Sequence, residues 1–249
     1  MNIGTTSERM VVISDLHIGN PFCDISKDLI DFMAQVCEEG YDLCINGDGF
    51  DVMQTSVEAI LDELPAFANM VSRFSRKGLT VYYVVGNHDI TLENLILSIQ
   101  GVRFCPFINL DSGQKRIRIE HGYLYDPAFI KNPVMYERLV HLAGFILKIA
   151  PPAYKLWIKF EKFKNKKKGS EHGLRGEPET FFEASKAIHE RGFDAVVFGH
   201  THHSGEVNAE VDGVKVNYFN TGSFMLSPDY LVIEHGNLRL RRWERGESI

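Results

Sequence analysis

The chain has 249 residues, 44% hydrophobic and 24% charged, with a net charge of −6. Length and composition fit a folded domain with a substantial core and exclude a disordered or fibrous chain. The acidic balance argues against a surface built mainly to hold nucleic acid, which would carry a basic excess.

The stretch Met1 to Arg9 is polar and leads into the apolar run Met10 to Ser14, read as the first strand. It lacks the basic start and long apolar core of an export signal. Leu29, Ile30, Met33, Val36 and Cys37 recur at helical spacing, and Asp42 to Ile45 returns to a strand ending at Gly47. Val57, Ile60, Leu61, Leu64, Phe67, Ala68, Val71 and Phe74 mark one buried helix face, which Pro65 is expected to kink or interrupt. Thr80 to Val85 is the next buried strand. This alternation predicts an α/β fold with crossover helices.

From Ile108 the period changes to two: Ile117 and Ile119 alternate with charged residues, and Asp111-Ser112-Gly113 supplies a hairpin turn. Tyr123 to Thr180 breaks this pattern and is read as a helical insertion, or lid, in a single domain covering residues 1–249. Its first helix aligns Tyr136, Leu139, Val140, Ala143, Ile146, Leu147 and Ala150 and ends at Pro151-Pro152. A second sets Ala153, Leu156, Trp157, Phe160 and Phe163 against a basic face and tail of Lys159, Lys162, Lys164 and Lys166 to Lys168. The longest apolar run, Leu139 to Ala150, is too short to span a bilayer, so any membrane contact is peripheral. Pro178 then starts a helix leading to the strand Ala195 to Phe198, and Asp212-Gly213 and Gly236-Asn237 turn the β-rich remainder. Cys23, Cys37, Cys44 and Cys105 show no paired short spacing, which points to reduced thiols and a cytoplasmic setting.

The chemistry gathers at strand ends. Asp15 and His17 follow the first strand, and Asp48 follows the second after Asn46-Gly47. Gly86-Asn87-His88-Asp89 follows the third, His121-Gly122 closes the hairpin, and Gly199-His200-Thr201-His202 follows the strand that ends at Phe198. Any one of these reads as readily as a turn or a helix cap. Five in order, at the sheet edge where α/β folds collect ligands, and holding five of the ten histidines, point to metal binding. Asp48 is the candidate shared ligand, because a carboxylate can bridge two cations and an imidazole cannot. Oxygen and imidazole donors without thiolate suit manganese, iron or zinc better than calcium or magnesium. His88 lies next to Asn87 without being needed as a ligand, which lets it act as a proton donor.

This ordered series resembles the calcineurin-like metallophosphoesterase superfamily, with its Asp-x-His, Gly-Asp-x-x-Asp, Gly-Asn-His-Asp, His-Gly and Gly-His-x-His motifs, over roughly residues 10 to 225. The resemblance implies an αββα sandwich of two mixed β-sheets with flanking helices, and a hydrolase using two divalent metal ions, manganese first among the candidates. It assigns Asp15, His17, Asp48 and His202 to one cation, and Asp48, Asn87, His121 and His200 to the other. It makes Asp51 the partner that orients His88, beside a helix-cap role for the same residue. Asn220-Thr221-Gly222-Ser223 looks like the closing strand-end segment.

The helical insertion gives the chain a layout like the branch that cleaves the pyrophosphate of UDP-2,3-diacylglucosamine. That implies a lipid-linked nucleotide or other phosphorylated small molecule as substrate, with the insertion meeting acyl chains or the inner face of a membrane. The chain departs from that branch in having His88 where arginine is expected and Tyr123 where aspartate is often found. His88 fits the alternative, a broader phosphodiesterase or phosphatase of nucleotides and small esters. A non-catalytic scaffold on the same fold would have lost ligands, and here every position is filled.

Overall fold

In the computed structural model, which describes residues 4–20, 26–52, 54–88, 100–150, 155–160, 163 and 177–249, the apolar runs pair into two six-stranded mixed sheets. One sheet is built on four parallel strands, β2 (Arg9–Ile13), β3 (Asp42–Asn46), β4 (Val81–Val84) and β5 (Val102–Cys105). The antiparallel pair β11 (Asp229–Glu234) and β12 (Asn237–Arg242) extends it beyond β2. The other sheet has the order β1 (Gly4–Thr6), β6 (Ile108–Ser112), β7 (Lys115–Ile119), β8 (Ala195–Phe198), β10 (Val214–Asn220) and β9 (Gly205–Val211). Within it β7, β8 and β10 run parallel.

The strict period of two explains the layering. In β2, β3 and β4, Met10, Val12, Cys44, Tyr82 and Val84 face the second sheet and meet Ile108, Leu110, Ile117, Ile119 and Val197. The alternate residues Val11, Ile13, Leu43, Ile45, Val81 and Tyr83 face α1 (Ser26–Glu38) and α2 (Val57–Arg76), through Leu29, Phe32, Met33, Phe67, Val71 and Phe74. Between β7 and β8 the chain forms a 3₁₀ turn (Tyr123–Tyr125), α3 (Pro127–Lys131), α4 (Pro133–Ile149) and helical backbone at 155–160, and returns through α5 (Glu179–His189). Phe181, Phe182 and Ile188 of α5 cover Val196, Phe198, Val216 and Tyr218 on the outer face of the second sheet. The protein is an αββα sandwich.

Several expectations are corrected. Pro65 does not interrupt α2. A proline inside a helix costs about 3 kcal/mol, and burying two side chains such as Phe67 and Phe74 offsets that. Val57 and Leu61, read as part of the buried face, are 63% and 50% exposed. The hairpin turn after β6 falls one step later, since Ser112 still pairs with Lys115, and the β11–β12 turn is at His235-Gly236. β1 and β5 were not legible, being short and lacking an apolar alternation that stands out.

The insertion carries much of the exposed apolar surface among the described residues. Leu139 and Ile146, assigned to one apolar stripe, lie on the surface, as do Met135, Leu142, Phe145, Leu156, Phe160 and Phe163. Lys162, Lys164 and Lys166 to Lys168 lie outside the described residues, as do Ala153 and Asp89. Among the described residues no helix is long and apolar enough to cross a membrane. Cys37, Cys44 and Cys105 are free and buried, and Cys23 lies outside the described residues.

Candidate active site

Because β2, β3 and β4 are parallel neighbours, their C-terminal ends share one edge, and the ends of β7 and β8 abut it from the other sheet. The loops there are laced together. The backbone N–H groups of Leu16 and His17 donate to Asp48 O at 3.0 Å, and Asp15 N–H donates to Gly47 O at 3.1 Å. Asn46 Nδ2 donates to Glu120 O at 3.1 Å, and Gly199 N–H donates to His121 O at 3.0 Å. The His200 N–H reaches back to Asp15 Oδ2 at 3.1 Å, joining the first motif to the last across 185 positions. Behind them, Ser223 Oγ donates to Asp15 O and Asn220 Nδ2 donates to Gly199 O, so the closing segment buttresses both.

Two glycines are required by this closeness. A Cβ on Gly86 would collide with the backbone nitrogen and carboxylate of Asp48, and one on Gly47 with the His121 ring. The backbone beside them is unusual as well. Asp15, His17, Asp48, His200 and His202 all have positive φ, between 49° and 67°. Such a conformation costs an L-residue about 1 kcal/mol or more and persists where surrounding structure dictates it, often at functional sites. The other non-glycine positive φ values among the described residues, at Asp212 and His235, belong to hairpin turns.

The side chains fall into three groups, one of which, His17, Asp51 and His88, shares His17 with the first of the two described next. Potential ligand atoms of Asp15, His17 and His202 lie within 4.8 Å of one another, and so do those of Asp48, His121 and His200. Asp15 Oδ1, both ring nitrogens of His17, Asn87 Oδ1 and His121 Nε2 are buried without a hydrogen-bond partner. His202 Nε2 approaches Asp15 Oδ1 at 3.0 Å, and His121 Nε2 approaches Asp48 Oδ2 at 3.3 Å, without hydrogen-bond geometry. Leaving so many buried polar atoms unsatisfied costs roughly 1–3 kcal/mol each. Divalent cations would satisfy them, and the donor set of carboxylate, amide and imidazole fits such ions.

Electrostatics agree. Burial by itself would raise the carboxyl pKa of Asp15 and Asp48, yet the surrounding imidazoles, chiefly His202 for Asp15 and His121 for Asp48, hold both below the usual range. Burial would lower the His121 pKa, but Asp48 and Asp15 push it up to about 10. The pocket is built for positive charge. His121 Nδ1 lies 2.8 Å from Asn46 O, a contact in which the nitrogen must donate, which leaves Nε2 facing Asp48.

His88 sits beside these groups. Its backbone N–H donates to Asp48 Oδ1 at 2.9 Å, and its ring Nδ1 lies 3.2 Å from Asp51 Oδ1. Asp51 is fully buried, accepts from Asn20 Nδ2 and the Gln54 N–H, and lies 3.7 Å from His17 Nδ1. Burial would raise its pKa, but His17 and His88 hold it well below the usual carboxylate range. The helix-cap role considered for Asp51 belongs instead to Ser56, whose Oγ accepts from the Ala59 N–H.

Sequence reasoning missed Asp126, whose Oδ2 lies 3.2 Å from His200 Nε2. Asp before Pro127 signals a helix cap, and nothing local links it to a residue 74 positions away. It also missed how the insertion leans on the site. Trp157 meets His202 edge-on at 6.0 Å, and an aromatic series runs from His121 through Tyr123 and Phe129 to Tyr136.

The pattern of the calcineurin-like phosphoesterase family matches residues 8–204. A protein of Pseudomonas putida named UDP-2,3-diacylglucosamine hydrolase is 24% identical over 219 residues, which cover 82% of this chain and 86% of that protein. Among solved structures, TT1561 of Thermus thermophilus is 14% identical with a TM-score of 0.46, covering 94% of this chain and 98% of its own. A dimetal phosphatase from Danio rerio is 12% identical with a TM-score of 0.46, covering 96% of each chain. With most of its length, and all five motifs, inside the matched region, the chain belongs to the calcineurin-like phosphoesterase family and is a metal-dependent phosphoesterase.

Proposed function

We propose that this phosphoesterase uses two divalent cations, manganese first among the candidates, to hydrolyse the pyrophosphate of a lipid-linked nucleotide of the UDP-2,3-diacylglucosamine class. The observation that carries the substrate reading is the exposed apolar surface of the insertion, which reaches the site at Trp157. Trp157 stands against His202, while Leu139, Leu142, Phe145 and Ile146 of α4 remain exposed. An exposed apolar patch of this kind marks a binding surface, and acyl chains are a fitting occupant. From Pro127 to Lys168 the sequence holds ten lysines and arginines against two glutamates, in a chain of net charge −6. That charge suits phosphates and an anionic lipid surface.

In this reading Asp15, His17, Asp48 and His202 hold one cation, and Asp48, Asn87, His121 and His200 the other. When bound there, the cations would supply an activated water and stabilise charge on the phosphoryl and leaving oxygens. The chain supplies position and protons. Asp48 is held by two loops, the strained backbone at five positions aims the donors inward, and His88, oriented by Asp51, meets the phosphoryl group or delivers a proton to the leaving oxygen.

The His88–Asp51 pair favours a second reading, a broader phosphodiesterase, since the diacylglucosamine branch carries arginine at that position. A panel on the manganese-loaded protein separates the two. Release of UMP and a lipid monophosphate from UDP-2,3-diacylglucosamine, with little turnover of soluble diesters, supports the first. The reverse order of rates supports the second.

A further inference from the structure

His200 is held on three sides. Its backbone N–H is bound to Asp15, its ring stacks parallel to Phe181 at 6.5 Å, and the His121 ring meets it edge-on at 5.3 Å. Neither ring contact is a hydrogen bond to His200, so these contacts leave the choice of nitrogen open. Asp126 closes it. The two oxygens of that carboxylate do different work: Oδ1 accepts from the N–H groups of Ala128 and Phe129 at the start of α3, and Oδ2 faces His200 Nε2 at 3.2 Å.

Asp126 is itself firmly placed. It follows the 3₁₀ turn that begins at Gly122, next to His121. Tyr125, its neighbour, stacks on Phe198 at 5.3 Å, donates its hydroxyl to Glu120 Oε1 at 2.8 Å, and accepts at its carbonyl from Thr180 Oγ1 at 2.6 Å. A connector fixed at both ends of the insertion therefore presents a carboxylate to one ring nitrogen of a candidate ligand.

We propose that Asp126 is a positioning residue for the metal centre. Its Oδ2 accepts a hydrogen bond from the Nε2–H of His200, fixes the tautomer, and commits Nδ1 to the cation shared with Asp48, Asn87 and His121. A carboxylate on the far nitrogen of a metal-binding histidine orients the ring and raises its basicity, and losing it costs roughly 10–100-fold in metal affinity. The inference rests on the two-cation reading above. It adds a consequence: the insertion and one of the two cation sites share a residue, so the carboxylate that starts the insertion's first helix also sets that site's affinity.

The test is Mn²⁺ titration of the full chain, wild type beside Asp126→Ser and Asp126→Asn, with metal content and electron paramagnetic resonance as readouts alongside rates. Serine keeps the helix cap and is too short to reach His200. We expect Asp126→Ser to fold normally, to bind one Mn²⁺ as wild type does and the second about 10–100-fold more weakly. The spin-coupled signal of the pair should fade at limiting Mn²⁺, and excess Mn²⁺ should restore kcat with KM unchanged. Asparagine, which keeps a neutral acceptor, should fall between. Wild-type affinities at both sites in the serine variant, or equal weakening of both, overturn the proposal. If that variant fails to fold, wild-type affinities in Asp126→Asn overturn it. A wild type that never binds two Mn²⁺ defeats the underlying assignment instead.

Discussion

Asp51 Oδ1 lies 3.2 Å from His88 Nδ1, with Asp51 fully buried and His88 only 9% exposed. The pair gives His88 an oriented ring and a fixed charge behind it. Replacing His88 with Ala is expected to leave both cations bound and to lower kcat by about 10²–10⁴-fold, the usual worth of a positioned proton donor. Asp51→Asn should cost less, because the ring remains. Metal content measured beside kcat checks this, and turnover at the wild-type rate without His88 removes that residue from the mechanism.

Gly86 tests the packing of the site. Its missing Cβ is the space that Asp48 occupies, and backbone cannot yield there as a flexible side-chain tip would. Gly86→Ala is expected to lose metal and to destabilise the fold by roughly 1–3 kcal/mol through overpacking. Thermal melts with metal analysis read both. An alanine variant with full metal content and an unchanged Tm contradicts the close approach.

The exposed apolar face of α4 should be separable from the chemistry. Leu142 and Phe145 are 54% and 59% exposed, so changing both to Ser should leave Tm nearly unchanged, within about 0.5 kcal/mol per site in stability. Turnover of a soluble chromogenic diester should be unaffected, while KM for a diacylated substrate rises. Equal effects on both substrates would count against an acyl-binding role.

Cys44 and Cys105 are buried, and burial drives both thiol pKa values up, that of Cys105 to about 12. A raised pKa leaves the thiol protonated and unreactive until pH approaches that value. At pH 8 the folded protein should therefore protect both from iodoacetamide, and denaturant should expose them. Rapid labelling of either in the folded state, read by peptide mass, would contradict the burial.

The strand-end motifs were readable because each is local: a buried apolar run, then a polar donor within a few residues. Asp15, His17, Asp48, Asn87, His88, His121, His200 and His202 all follow that rule, and the period of two placed the sheets that join them. What depends on distant parts of the chain was hidden. The positive φ of five donors is imposed by neighbouring loops, and Asp126 becomes a partner of His200 only when the insertion folds back. Leu139 and Ile146 of the α4 stripe lie open, while Tyr136 and Val140 of the same stripe are half-buried. Periodicity reports that a face is apolar and is silent on what covers it.

The most direct measurement is Mn²⁺ titration of the metal-stripped protein while phosphoester hydrolysis is followed, with Asp48→Asn in parallel. The account predicts that activity rises with the binding of two Mn²⁺ per chain, and that the variant neither holds the pair nor turns over substrate. Hydrolysis at the full rate in the stripped protein, or in Asp48→Asn, would contradict it.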